Sequence, residues 1–137
     1  MRKKTRRIIG EKGAAAVELA VILPVLFMLL FGIIEFGRYF WWRHSVTAAA
    51  TEAARMAILD PSVISDAQVE AWAVQVAQDG GVNAAPTVTV DPLDRPRNQP
   101  ITVTVQIPFS PLILPQLISG LVMPNAIVAS STMVGEP

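Results

Sequence analysis

Residues 19–34 read LAVILPVLFMLLFGII, sixteen positions without a charge between Glu18 and Glu35. As a helix the run covers ~24 Å, somewhat short of a ~30 Å hydrocarbon layer. Its flanks lengthen it: residues 14–17 on one side, Phe36, Gly37, Tyr39, Phe40, Trp41 and Trp42 on the other. Over 14–42 the segment is ample for a membrane span. The helical pattern continues beyond it. Residues 43–59, RHSVTAAATEAARMAIL, hold no proline or glycine and are rich in helix formers, and Pro61 stops the run. One helix over 14–59 is predicted, about 69 Å long.

A second helix is predicted over 66–78. Ser65 is placed to cap it and Gln68 stands three residues on, at capping-box spacing. Val69, Trp72, Ala73 and Val76 fall on one face, so Trp72 is read as the anchor of a small core. Gly80 and Gly81 end the pattern. The period then changes to two. Val88 and Val90 face the core from a strand over 87–90; Ile101, Val103, Val105 and Ile107 face it from the next, with Thr102, Thr104 and Gln106 outward. Residues 126–134 supply a third strand. The loop between the first two, residues 91–100, holds three prolines and mixed charge and reads first as a solvated loop; if it meets a partner, Arg95 and Arg97 are its candidate contacts. Residues 108–124 form a proline-bounded apolar segment with a short helix near 115–121, placed to cover the sheet or to rest on the membrane or a partner subunit. The predicted fold is α+β: a long N-terminal transmembrane helix continuing into a small domain with a second helix and an antiparallel sheet of about three strands. The organisation is a basic leader (1–13), a transmembrane helix (14–42), its extramembrane continuation (43–59) and an extracytoplasmic domain (60–137).

Charge adds a direction. Six of the 11 Lys and Arg lie in the first 12 residues, while residues 14–137 carry 5 basic and 10 acidic side chains, a formal net charge of −5. An acidic body argues against a nucleic-acid surface. The basic end matches the cytoplasmic flank of a span, which predicts a single pass, N-inside and C-outside. Tyr39, Trp41 and Trp42 then fall at the outer headgroups. A cleaved secretory signal fits less well, because no small-x-small site follows the apolar run directly.

Acidic residues mark both edges of the span. Glu18 follows AAAV, and a carboxylate there is costly unless it stays near the headgroups, is protonated or meets a positive partner. Gly13 stands five residues before it. Cutting after Gly13 would free an amine on Ala14 and make Glu18 the fifth residue of the product, able to pair with the amine of a neighbouring subunit and set its stagger. The plainer reading leaves Glu18 as a boundary marker. Pro24 removes one backbone donor inside the span and marks either an incidental kink or a flexible point. Glu35 and Arg38, three apart, are placed to pair on one helix face, as an anchor or as a contact with another span.

With these residues in hand, the chain resembles the TadE-like pilus assembly proteins of tight-adherence (Flp-type) pili. The similarity is carried by GAAAVELAVILPVL from Gly13, by FGIIEFGR from Phe31 to Arg38, and by Ala48, Ala49, Ala50, Glu52, Ala53, Ala54 and Arg55. A weaker likeness extends to the Thr/Val strands and the turn at Pro108 and Phe109. The resemblance implies processing by a prepilin peptidase after Gly13, with Glu18 as the matching carboxylate. Major pilins of this system usually carry tyrosine after that glutamate; Leu19 here favours a minor pilin or pseudopilin. The implied partners are the membrane, the peptidase, other pilin-like subunits and an inner-membrane assembly platform. The alternative is an uncleaved single-span accessory that docks pilus or secretion machinery.

The sequence offers no catalytic, cofactor-binding or metal residues. It has no cysteine, one histidine (His44) and no phosphate loop or paired-histidine motif, so a structural protein without a cofactor or small-molecule substrate is predicted.

Overall fold

The computed structural model describes residues 5–60, 62–95, 98–112 and 123–135, with side chains from residue 13 onward. Arg97, Pro61, the expected short helix near 115–121 and the side chains of the basic leader lie outside the described residues. Helix α1 runs over Thr5–Ala57 and α2 over Asp66–Asp79; strands β1 (Thr87–Asp91), β2 (Pro100–Pro108) and β3 (Ala126–Val134) follow. The sheet is antiparallel in the order β1-β2-β3, so the fold is α+β as the pattern predicts.

Helix α1 is 53 residues, about 80 Å of continuous helix. It begins nine residues before the predicted start because the 5–13 stretch carries no proline and its two glycines weaken a helix without stopping it. Its two halves have different surroundings. From Gly13 to Ile34 nearly every side chain is exposed, and among the described residues it is the one helix long and apolar enough to cross a membrane. Above it, Val46, Ala49, Ala50, Ala53, Ala54 and Ala57 are at most 1% exposed. Their three- and four-residue spacing puts them on one stripe, and their small side chains bring the backbone close to α2 and the sheet.

Helix α2 is held by the expected capping box: Gln68 N–H donates to Ser65 Oγ, and Ser65 N–H donates to the Gln68 side chain at 2.9 Å. Its buried residues are Val69, Ala73 and Ala77. Trp72 is not among them. It is 41% exposed, which corrects its reading as the core anchor. The alanine stripe of α1 favours small side chains opposite it, so the buried face of α2 is centred on Ala73 and the indole is turned outward.

In the sheet, Ile101, Val103, Val105 and Ile107 point into the core at 0–3% exposure. The opposite face is hydroxyl-rich. Thr102 pairs with Thr132 at 2.8 Å and Thr104 with Ser130 at 2.9 Å across the β2-β3 seam. These short cross-strand bonds fix the register over nine residues of each strand.

Candidate functional site

Gly13, Ala14 and Glu18 lie on consecutive turns of α1, all exposed. A Cβ at Gly13 would meet nothing within 4 Å. Packing therefore does not require glycine here. What glycine does is weaken the helix by ~1 kcal/mol relative to alanine, so this peptide bond unwinds more easily than its neighbours. Pro24 sits inside the helix, exposed, and leaves the Ala20 carbonyl without its usual N–H partner.

The structure places Glu35 and Arg38 elsewhere in character. Glu35 is 1% exposed although it borders the apolar run. Arg38 Nη2 lies 2.6 Å from Glu35 Oε1 and Nε 3.1 Å from the same oxygen. The other carboxylate oxygen accepts the Leu112 N–H at 3.1 Å. Arg38 also donates to the Ser110 carbonyl, and its guanidinium lies 4.5 Å from the centroid of the Phe109 ring and 5.1 Å from that of Trp42. Phe109, 3% exposed, meets Tyr39 and Trp42 edge-on at 5.3 and 5.6 Å. Its N–H donates to the Asn125 carbonyl at 2.9 Å. So the chain leaving β2 is fastened to the last turns of α1 below the domain. The charge of Glu35 is neutralised and all but enclosed there by its own chain.

The aromatic residues are divided between two tasks. Tyr39 and Trp42 are half-buried against Phe109. Trp41 is 64% exposed, and its indole N–H donates to the Gly80 carbonyl at 2.8 Å. Ser45 Oγ donates to the same carbonyl, also at 2.8 Å. This pins the end of α2 to α1 and requires glycine at position 80, because a Cβ there would come within 2.5 Å of Ser45 Oγ and 2.6 Å of its Cβ.

Arg95 corrects a second expectation. It is 3% exposed and is no free loop contact. Its Nε lies 2.7 Å from Asp66 Oδ1, an ion pair whose angle is not that of a hydrogen bond. Its guanidinium donates to the Ala57 carbonyl at 3.3 Å and to the Ile64 carbonyl. A cation at the C-terminus of α1 and a carboxylate in the first turn of α2 each suit the local helix dipole. Arg95 thus ties the tip of the domain together.

Sequence reasoning found the Glu35/Arg38 pair and the turn at Phe109 separately, and missed that they join. It also missed Ser110, Leu112, Gly80 and Asp66 as partners. Only the pair of adjacent glycines at 80 and 81 carried a local signal.

No curated protein and no solved structure matches this chain. A family-level match falls on the helix built above, from the exposed Gly13, through Glu35 and Arg38, to the alanine stripe that forms the core. Residues 13–55 match the family model described as TadE-like protein, a likeness that lies along the apolar helix and its continuation into the domain.

Proposed function

We propose that this chain is a minor pilin- or pseudopilin-like structural component in assembly of a tight-adherence (Flp-type) pilus, matured by prepilin peptidase cleavage after Gly13. The observation that carries the reading is the division of α1. Nearly all of its TadE-like segment over 13–34 is exposed, and the part above serves as the spine of a folded domain. Such a helix needs lipid around it first and is equally suited to other apolar helices later.

In this reading the basic leader holds the chain N-inside in the inner membrane while the domain stands outside. Removal of residues 1–13 leaves an amine on Ala14 and a carboxylate on Glu18 as the charges at that end. The carboxylate pairs with the amine of a neighbouring subunit and sets the axial stagger. Apolar contacts with lipid are exchanged for apolar contacts with helices, so hydrophobicity gives little net drive. Direction comes from an assembly platform that acts on the chain. The role is mechanical; the reading assigns no catalytic residue, cofactor or small-molecule substrate.

One observation favours a second reading, the uncleaved accessory: α1 runs unbroken from Thr5 through Gly13, so the peptide bond must unwind before a peptidase can hold it. Deleting the chain and complementing with wild type or Gly13→Val separates the two. Loss of surface pili in the deletion, restored by wild type and not by the valine variant, supports the processed subunit. Full restoration by the valine variant supports the accessory, and unchanged pili in the deletion overturn both.

A further inference from the structure

We propose that the turn at 109–112 is a second membrane contact of this chain, with Leu112 entering the edge of the acyl-chain layer beside the last turn of the span. The inference rests on residues 13–34 spanning a membrane and does not depend on the pilus.

The geometry is a descent along α1. Phe109 lies against Tyr39 and Trp42, the carbonyl of Ser110 meets Arg38, and the N–H of Leu112 meets Glu35. Seven residues of helix separate Trp42 from Glu35, about 10 Å along the axis. The segment therefore runs down the helix, away from the domain and toward the span. It brings Leu112 to the level of Ile33, Ile34 and Phe36, which are 72%, 49% and 38% exposed and continue the lipid-facing surface of 13–34. Leu112 itself is 75% exposed. A large, exposed aliphatic side chain at this level adds to the apolar surface there.

The polar groups at this level fit the same environment. Backbone and charged groups next to hydrocarbon must find partners within the protein. Here the Leu112 N–H goes to Glu35, the Glu35 carboxylate to Arg38, and the Arg38 guanidinium to Ser110 and the ring of Phe109. With two points of contact, the span and Leu112, the domain is held at one rotation about α1 relative to the membrane plane.

The chain has no cysteine, so single introduced thiols label cleanly. The full chain is reconstituted in phosphatidylcholine vesicles with a spin label at Leu112→Cys, Leu26→Cys or Ser130→Cys, the last on the exposed outer face of the sheet. Collision with oxygen, which concentrates in lipid, is compared with collision with a water-soluble nickel chelate. The expected oxygen-to-nickel ratio at Leu112 is several-fold above that at Ser130 and lies toward that at Leu26. A ratio at Leu112 equal to that at Ser130 overturns the proposal. So does protection from both reagents, which places a protein surface or second copy over Leu112. An aqueous reading at Leu26 removes the span on which the proposal rests.

Discussion

The Arg38 guanidinium lies 4.5 Å from the centroid of the Phe109 ring, 71 positions away in the chain, while it is paired with Glu35 on its own helix. A cation that meets both a carboxylate and an aromatic face is favourable where water is scarce, with the ring contributing ~0.5–2 kcal/mol. A double-mutant cycle of Arg38→Ala and Phe109→Leu is expected to show a coupling energy of ~1 kcal/mol in thermal unfolding in detergent micelles. Additive effects would mean that the stacking contributes nothing.

Arg95 is expected to matter more. Replacing it with alanine strips the Ala57 and Ile64 carbonyls of a donor and Asp66 of its cation. The expected loss is ~3 kcal/mol, read as a lowered midpoint of chemical unfolding. Arg95→Lys should restore only part, because one ammonium cannot reach three partners arranged for a planar fork.

Gly80→Ala tests the seam between α1 and α2. The added Cβ meets Ser45 at 2.5 to 2.6 Å, and neither helix can withdraw without opening the alanine-lined interface. A loss of ~1–3 kcal/mol is expected. Ser45→Gly in the same chain should recover some of it by removing both contacting atoms, less ~1 kcal/mol for glycine within a helix.

Trp72 and Ala73 provide opposite expectations on adjacent positions. Trp72→Ala removes a side chain already 41% exposed and should change stability by less than ~1 kcal/mol. Ala73→Leu forces a large side chain against the alanine stripe of α1 and should cost ~1–3 kcal/mol. Equal effects would place the core on the wrong face of α2.

These contrasts mark how far the sequence could be read. Alternation in ITVTVQI located β2 and its inward face because period-two burial depends only on which side the core lies. The capping box was legible because Ser65 and Gln68 are near neighbours that satisfy each other. The buried face of α2 was not, since the outcome between Trp72 and Ala77 is decided by the size of residues on another helix. Arg95 read as an exposed loop residue because its partners, Asp66, Ile64 and Ala57, are 29 to 38 positions away and none is marked by pattern. Gly13 and Glu18 were singled out by their place between a basic leader and an apolar run, and the structure shows both exposed on α1. Glu35 was found as half of a local pair, but its enclosure by the 109–112 turn depends on how β2 ends.

The most direct test of a processed subunit is the N-terminal sequence of the chain extracted from membranes, with and without the prepilin peptidase. A start at Ala14 only when the peptidase is present is the expected result, and it makes Gly13 and Glu18 working parts of maturation and assembly. A start at Met1 in both backgrounds contradicts processing and leaves an anchored accessory whose helix never exchanges lipid for other subunits.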